Sequence, residues 1–542
     1  MSDPDTAQQI IRRQEQIKSN RGTFERQWHE IGLRVMPRAD NFLSKSAPGQ
    51  RKDQFVFDST APLALTRFSA ALESMLTPRS QKWHNLEALD PRVKKSKAVA
   101  VYLEQVRDLL FQVRYTPSAN FASQTNELYM NLGAFGTGAM FIKDALHEGI
   151  KYMSIPLAEL FIAQDDNGIV DTVYRRYEMT ARAAWRKWGD VLPEKILQAK
   201  VKDPEQTFEF IHCVRPNDEV EHGKLNRRGM KYYSADVAIE GKTLLKEGGF
   251  RTFPYAVSRY VTAAGEVYGR SPAQDVLADI RTVNEMEKTN LRYGQRVNDP
   301  PLMTADVDSL SPFNMKSGSL NAGYLSENGT EMVKPLLIQG DPRFAIEQSQ
   351  QKRKAINDSF LVTLFQILVD TPQMTATEVM ERAQEKGALL APTVGRQEAE
   401  FLGCCITREI DILASAGALP PPPPELANSG GQIKIIYDNP LSRMRRSGEG
   451  VGILRTIESL MPVAQADPRV LKRFNFDRIT QRLSEVNGVP ADCLYSDDEM
   501  KKIDAQMAQQ EQMKNMLQAA PIAAQTAKTL SDANANAQKA PF

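Results

Sequence analysis

The chain has 542 residues, 68 Lys+Arg against 67 Asp+Glu, and a formal net charge of +1. That length can bury a large core spread over a few domains. The charge balance excludes a protein that grips nucleic acid over its whole surface, because such affinity comes from neutralising phosphates with a basic excess.

The first ~140 residues read mainly as helix. Ile10, Ile17, Phe24, Trp28, Ile31 and Val35 recur on one helical face, and Pro37 stops that helix. A second helix opens near Pro62 after Thr60 and runs through Leu65, Phe68, Leu72 and Leu76 to Pro78. A third covers about Lys97 to Tyr115, and a fourth starts after Ser118 and ends at the glycines Gly133, Gly136 and Gly138. From there to about Tyr260 the period becomes that of strands: Lys151–Ile155, Leu160–Ile162 and Val170–Tyr177 about an Asp166-Asn167-Gly168 turn, Phe208–Ile211, and Met230–Ile239. A short helix carrying Trp185 and Trp188, capped by Thr180, interrupts them.

Ser271-Pro272-Ala273-Gln274 is a capping box with proline at the first helical position. The helix it opens reaches about Val297, ~39 Å at 1.5 Å per residue. Val276, Ile280, Val283 and Leu291 form its apolar face, and Arg281, Lys288, Arg292 and Arg296 line the opposite one. A stretch rich in Asn, Ser, Gly and Pro follows. A second long helix then runs from Asp341-Pro342 to about Leu368. Beyond Asp370-Thr371-Pro372, the capping box Thr375–Glu378 starts a helix kinked at Pro392 and ended by Gly417 and the stiff run Pro420–Pro424. Gln432–Tyr437 reads as a strand, Arg443–Arg446 begins another helical region, and the Met- and Gln-rich end suggests a helix fading into a disordered tail. The fold class expected is α+β, mainly helical.

Motifs of catalysis fail one by one. Gly241-Lys242-Thr243 resembles the end of a phosphate loop, but Asp236 stands where its first glycine belongs, and the context is strand-turn-strand. His29-Glu30 has Leu33 in the place of a second ligand histidine, and His84, His147, His212 and His222 are too scattered to assemble a site by spacing. The glycines ending the fourth helix lack the third of a dinucleotide loop, where Phe141 falls, and read as a tight helix-to-strand turn. Cys213, Cys404, Cys405 and Cys493 form no C-x-x-C pair and no disulfide framework, so a reducing compartment is expected, and the Cys404-Cys405 neighbours, inside a helical pattern, read as buried small hydrophobes. The N-terminus has no apolar signal region, and Phe360–Val369, the longest apolar stretch, is far below the ~20 residues of a membrane span. No enzyme, cofactor, metal or membrane reading survives. The basic stripe is by default a solvated face in which Glu285 pairs with its neighbours. Two long helices bracketing an irregular excursion offer the alternative, a stalk projecting from a globular body.

Tyr268-Gly269-Arg270-Ser271-Pro272-Ala273 followed by Asp279–Asn284 resembles the podovirus head-to-tail connector (portal) family. So do Gly22-Thr23-Phe24-Glu25, Asp58-Ser59-Thr60-Ala61 and Leu76-Thr77-Pro78, and Thr375–Val379 is similar to the helix start after that family's channel loop. The blocks lie in order across roughly residues 10 to 450. The resemblance implies a phage portal fold with wing, long-helix stem, clip insert and helical crown or barrel. It sets the wing at 1–270, the stem helices at 271–297 and 341–369, and the clip between them at 298–340. The channel loop it implies takes 370–374, with Val369, Asp370, Thr371, Pro372, Gln373 and Met374 as its candidate residues. A long kinked wing/crown helix and proline linker take 375–425, a wing return strand and crown 426–495, and a C-terminal helix or barrel with a disordered tail 496–542. It further implies a homo-oligomeric ring of twelve at one capsid vertex, assembled in the host bacterial cytoplasm and carried in the virion. Double-stranded DNA passes through weakly and without sequence preference during packaging and ejection. The partners implied are the terminase large subunit, a tail adaptor or tube protein, and the scaffolding and major capsid proteins. The stripe Arg281, Lys288, Arg292 and Arg296 then faces either the channel or a neighbouring subunit.

Overall fold

A computed structural model describes residues 4–39, 54–94, 96–145, 149–218, 227–304, 314–336, 342–363, 392–438, 452–462, 474–487 and 499–510, with isolated residues between. The expected channel loop 369–374, the Thr375–Glu378 capping box, the Arg443–Arg446 helix start and the C-terminal tail lie outside the described residues. The chain divides into two compact units: residues 1–83, 109–419 and 437–445, and residues 84–108, 420–436 and 446–542.

The first unit opens with α1 (Pro4–Asn20) and α2 (Gly22–Arg34) where one continuous helix is expected. The break falls at Arg21, whose buried guanidinium donates to the carbonyls of Leu157, Ala158 and Leu160 and to Glu25, and lies over the Phe161 ring. Satisfying a buried guanidinium outweighs helix continuity here. Helix α3 (Thr60–Leu76) buries Leu65, Phe68, Leu72 and Leu76, as its spacing predicts.

The second unit contributes strand β1 (His84–Ala88), the short α4 (Pro91–Lys94) and the start of α5 (Lys97–Arg114). Within that unit Lys97 pairs with Glu499 at 2.9 Å and Arg107 donates to Asn85 at 2.7 Å.

Back in the first unit, α6 (Phe121–Phe135) ends at Gly136, left-handed at φ +77°. It leads into β2 (Thr137–Asp144), which pairs antiparallel with β3 (Ile150–Ile155). Strands β4 (Leu160–Gln164) and β5 (Val170–Thr180) flank the expected turn, and α7 (Ala181–Trp188) and α8 (Glu194–Lys202) follow. The Thr180 hydroxyl caps α7 by accepting from the Ala183 amide. Then come β6 (Thr207–Pro216), β7 (Tyr232–Ala238), β8 (Thr243–Phe250) and β9 (Tyr255–Arg259). Strands β4 to β8 form one antiparallel meander, and β9 joins β2 and β3 in a three-stranded sheet. Gly241-Lys242-Thr243 lies at the β7–β8 turn, in the strand-turn-strand setting expected.

The meander is covered on both faces, and its period of two explains how. Phe208, Phe210, Ala238 and Leu245 pack with Trp188, Ile196 and Ala199 of α7 and α8. Ile211, Cys213, Val237 and Leu244, one residue out of phase, pack with Ala7 and Ile10 of α1.

Next, the capped turn α9 (Pro272–Asp275) precedes α10 (Leu277–Asn298), and α11 (Pro342–Ser359) returns beside it. Short strands β10 (Leu302–Thr304) and β11 (Val333–Pro335) pair antiparallel within the expected irregular excursion. Residues 392–396 are helical, Gln397–Leu402 wind as a π-helix, and α12 (Gly403–Ser415) continues to a stop at Gly417, left-handed at φ +66°. In the second unit lie α13 (Pro424–Asn428), β12 (Ile433–Tyr437), which pairs with β1, and α14 (Phe476–Asn487). Among the described residues no helix is long and apolar enough to cross a membrane.

Candidate functional site: the root and shaft of a long helical hairpin

Helices α10 and α11 form an antiparallel pair, roughly 33 Å and 27 Å long at 1.5 Å per residue. Two ion pairs tie them together, Lys352–Asp279 at 2.7 Å and Arg353–Glu287 at 2.8 Å. The expected single helix from Pro272 is instead bent at Val276. Its first turn is pinned to α6 by the Ser271 hydroxyl donating to the Ala134 carbonyl at 2.8 Å, and the bend lets Ile280 and Val283 bury elsewhere. The full capping box is present, with Ser271 and Gln274 each accepting from the other's backbone amide.

The root of this hairpin is where four blocks of sequence meet. Asn284 of α10 accepts from the amides of Phe57 and Asp58 at 2.9 and 3.2 Å, and its own amide donates to Ile280. Asp58 caps α3 through the Thr60 amide at 2.8 Å and receives Arg353 at 2.8 Å. Tyr268 packs its ring on Trp28 and Phe24 and accepts from the Ile162 amide. Gly269 passes so close to Gly136 that a Cβ on either would come within 2.4 Å of the other's carbonyl oxygen. Side chains are excluded from that crossing, which fixes the hairpin against the α6–β2 corner.

Helix α11 breaks after Ser359, residues 362–363 are helical again, and 364–368 of the expected helix lie outside the described residues. Phe360 is fully buried against Phe68, the Ser359 hydroxyl donates to the Pro272 carbonyl, and Leu361 takes a left-handed φ of +59°. Burying the aromatic at the root stops the helix there.

The basic stripe divides. Arg281 is ion-paired to Glu30 of α2. Lys288 pairs with Glu285 at 3.3 Å and lies over the Phe57 ring. Arg292 and Arg296 are exposed and make no ion pair among the described residues. Glu30 and Phe57 come from remote segments, so the spacing on α10 could not reveal this split. Lys352, Arg353 and Lys354 point different ways, the first two into the hairpin and the third to solvent. Leu291, read as part of the apolar face, is 56 % exposed, because the body that covers Ile280 and Val283 does not extend to it.

Two further hubs carry no sequence signal. Gln397 and Glu400 of the π-helix accept from or donate to the backbone of β9 at Arg259, and Glu400 also holds the Arg259 guanidinium at 2.7 Å. Cys404 directs its thiol to the carbonyls of Phe253 and Tyr255, and burial pushes it up to about 12. Cys405 is buried as expected and Cys404 half-buried, while Cys213 is buried and Cys493 exposed. His212 sits between the Tyr255 and Ser234 hydroxyls at 2.6 and 3.0 Å, and burial lowers its pKa to about 4. Among the described residues no three His, Cys, Asp or Glu side chains group as metal ligands do.

Together the root and shaft fix a long helical hairpin on an α+β body. The chain belongs to the bacteriophage head to tail connecting protein family, whose model matches residues 7–494. It is 26% identical over 535 residues to the portal protein of Salmonella phage epsilon15, covering 97% of this chain and 95% of that one. It is equally 26% identical over 542 residues to the probable portal protein of Bordetella phage BPP-1, covering 98% and 96%. A chain from the virion of native gene transfer agent (GTA) particle aligns over 76% of this chain and 91% of its own, at 14% identity and a TM-score of 0.32. The function is that of a portal, or head-to-tail connector.

Proposed function

We propose that twelve copies close into a ring at one capsid vertex and leave an axial channel for double-stranded DNA during packaging and ejection. Residues 271–297 and 341–369 are the stem, 298–340 the clip, 1–270 the wing, and 370–374 the channel loop. The segments 375–425, 426–495 and 496–542 supply the kinked wing helix, the crown, and the C-terminal helix or barrel. The clip meets the terminase large subunit and later the tail adaptor, while scaffolding and major capsid proteins meet the wing. The ring assembles in the host cytoplasm, ends in the virion, and catalyses nothing itself.

The observation that carries this reading is the shaft. A two-helix hairpin cannot cover both of its own flanks, and here Leu291, Val297 and Ile346 stay exposed along it. Leu291 and Ile346 lie on one flank of the shaft, and exposed apolar side chains that adjoin mark a contact surface. A net charge of +1 suits a conduit, since a strongly basic lining would hold phosphates and stall the DNA. Native mass spectrometry of the purified full-length chain tests it: twelve chains of 60.7 kDa come to about 728 kDa. A mass of one or two chains at every salt concentration would refute the ring.

A further inference from the structure

The two flanks of the α10–α11 hairpin differ, and the ion pairs between the helices show which residues share a flank. At 100° per residue, Thr282, Met286, Thr289 and Asn290 fall in an arc of about 100° on α10, and Asp279 belongs to the same arc. Its partner Lys352 lies beside Ala345 on α11. Together Thr282, Met286, Thr289, Asn290 and Ala345 line a groove of about 520 Å³, with Arg281 and Glu285 at its rim. The hydroxyls of Thr282 and Thr289 fold back onto the carbonyls of Ala278 and Glu285, both at 2.8 Å, so they do not compete for a partner in the groove. Ala345 is the small residue that leaves the space.

The opposite flank is marked by Arg353–Glu287. On the helical wheel Glu287 neighbours Leu291, and Arg353 neighbours Ile346. These two apolar side chains are 56 % and 45 % exposed. Asn290 and Ala345 line the same groove, and one residue onward in each of the antiparallel helices separates Leu291 from Ile346 by only about 3 Å along the axis, so the two stand at nearly one level of the shaft. One flank is therefore a knob and the other a groove at the same height.

We propose that Leu291 and Ile346 of one copy seat in the groove beneath Thr289 and Ala345 of the next. This rests on the ring reading and gives its stem a specific contact. The occupant is a second copy of this chain, because knob and groove are complementary, lie at equal height and face opposite ways. A self-complementary patch would make a two-fold dimer, whereas two different surfaces on opposite flanks propagate head to tail and close a ring.

The test uses the full chain in a Cys493→Ser/Cys404→Ala background, since Cys493 is exposed and Cys404 half-buried, while Cys213 and Cys405 are buried. Ile346→Cys places a thiol on the knob and Thr289→Cys one on the groove, on opposite flanks of the hairpin. Treated with a short bismaleimide, the double-cysteine chain is expected to give a covalent ladder up to the size of the whole ring, while either single cysteine gives none. A second variant, Thr289→Trp, fills the groove and is expected to cut the yield of closed rings at least tenfold. Mixing it with the knob variant Leu291→Asp/Ile346→Asp should yield one-to-one pairs, each with a single working joint, and no rings. Rings that form normally yet give no ladder, or that tolerate Thr289→Trp, overturn the contact and leave the ring reading standing. Wild-type chain that never forms rings overturns the ring reading itself.

Discussion

Replacing Glu409 by alanine should destabilise the first unit more than any other single carboxylate change. Arg114 and Glu409 are both fully buried, with the guanidinium Nε 3.1 Å from one carboxylate oxygen and a second nitrogen on the other. Tyr152 donates its hydroxyl to the same carboxylate at 2.7 Å. The guanidinium carbon lies 4.5, 5.0 and 5.5 Å from the ring centroids of Trp83, Phe111 and Phe121. Burial alone would lower the Arg114 pKa, but the Glu409 charge and hydrogen bonds outweigh it and raise it. Glu409→Ala strands this cation in an aromatic box and removes the tyrosine's acceptor. Breaking a buried pair on one side costs about 3–5 kcal/mol, and an orphaned hydroxyl about 1–3 more. The two overlap, so the expectation is a loss of about 4 kcal/mol. Arg114→Met with Glu409→Leu should cost less, about 1–3 kcal/mol, because neither charge remains to be desolvated and only the Tyr152 hydroxyl is left without its acceptor. Urea unfolding followed by tryptophan fluorescence reads both. A loss below about 1 kcal/mol for Glu409→Ala, or a double variant no better than the single, refutes the reasoning.

Other expectations are more local. His212 takes up a proton near pH 6.5 when unfolded but only at about 4 when folded, because burial disfavours the imidazolium. The unfolded chain therefore binds more protons in that window, so its contribution is intact above pH 6.5 and about 3 kcal/mol is lost as pH falls to 4; His212→Gln should flatten the slope seen in stability against pH, and an unchanged slope would discount the histidine. Gly269→Ala sets a Cβ against the Gly136 carbonyl, and a loss of at least ~2 kcal/mol in thermal stability is expected, with values near zero meaning that the crossing is looser than described. Arg292→Glu should impair DNA packaging if that exposed arginine faces the channel and ring yield if it faces a neighbour; no change in either measurement leaves it a solvated residue.

Much of the molecule can be read from local pattern. Thr180, Ser271 with Gln274, and Gly417 act where they stand, because a cap or stop is a matter between a side chain and the next few backbone groups. Strands β2 and β9 are harder to see. Thr137–Met140 and Tyr255–Arg259 are buried on both faces and lack the alternation that marks a half-exposed strand. The helix ends at Arg21, Val276 and Ser359 escaped for a shared reason, since each is set by a partner more than 80 residues away: Arg21 by Leu157, Ser271 by Ala134, and Phe360 by Phe68. The candidate stripe illustrates the same limit. Its four cations are equivalent on the wheel, and only the folded chain separates Arg281 and Lys288, neutralised by Glu30 and Glu285, from Arg292 and Arg296. The blocks that carry the family resemblance were visible as residues, but their meeting at Asn284 and Gly269 was not.

Whether the hairpin builds the stem of a ring is decided by cryo-electron microscopy of the purified full-length chain. Class averages with about twelve-fold symmetry are expected, with an open axial hole and paired helices ranged around that hole at the level of Leu291 and Ile346. Monomers or small closed oligomers with no hole, or rings in which the α10–α11 pair lies away from any neighbouring copy, would contradict that role for the hairpin.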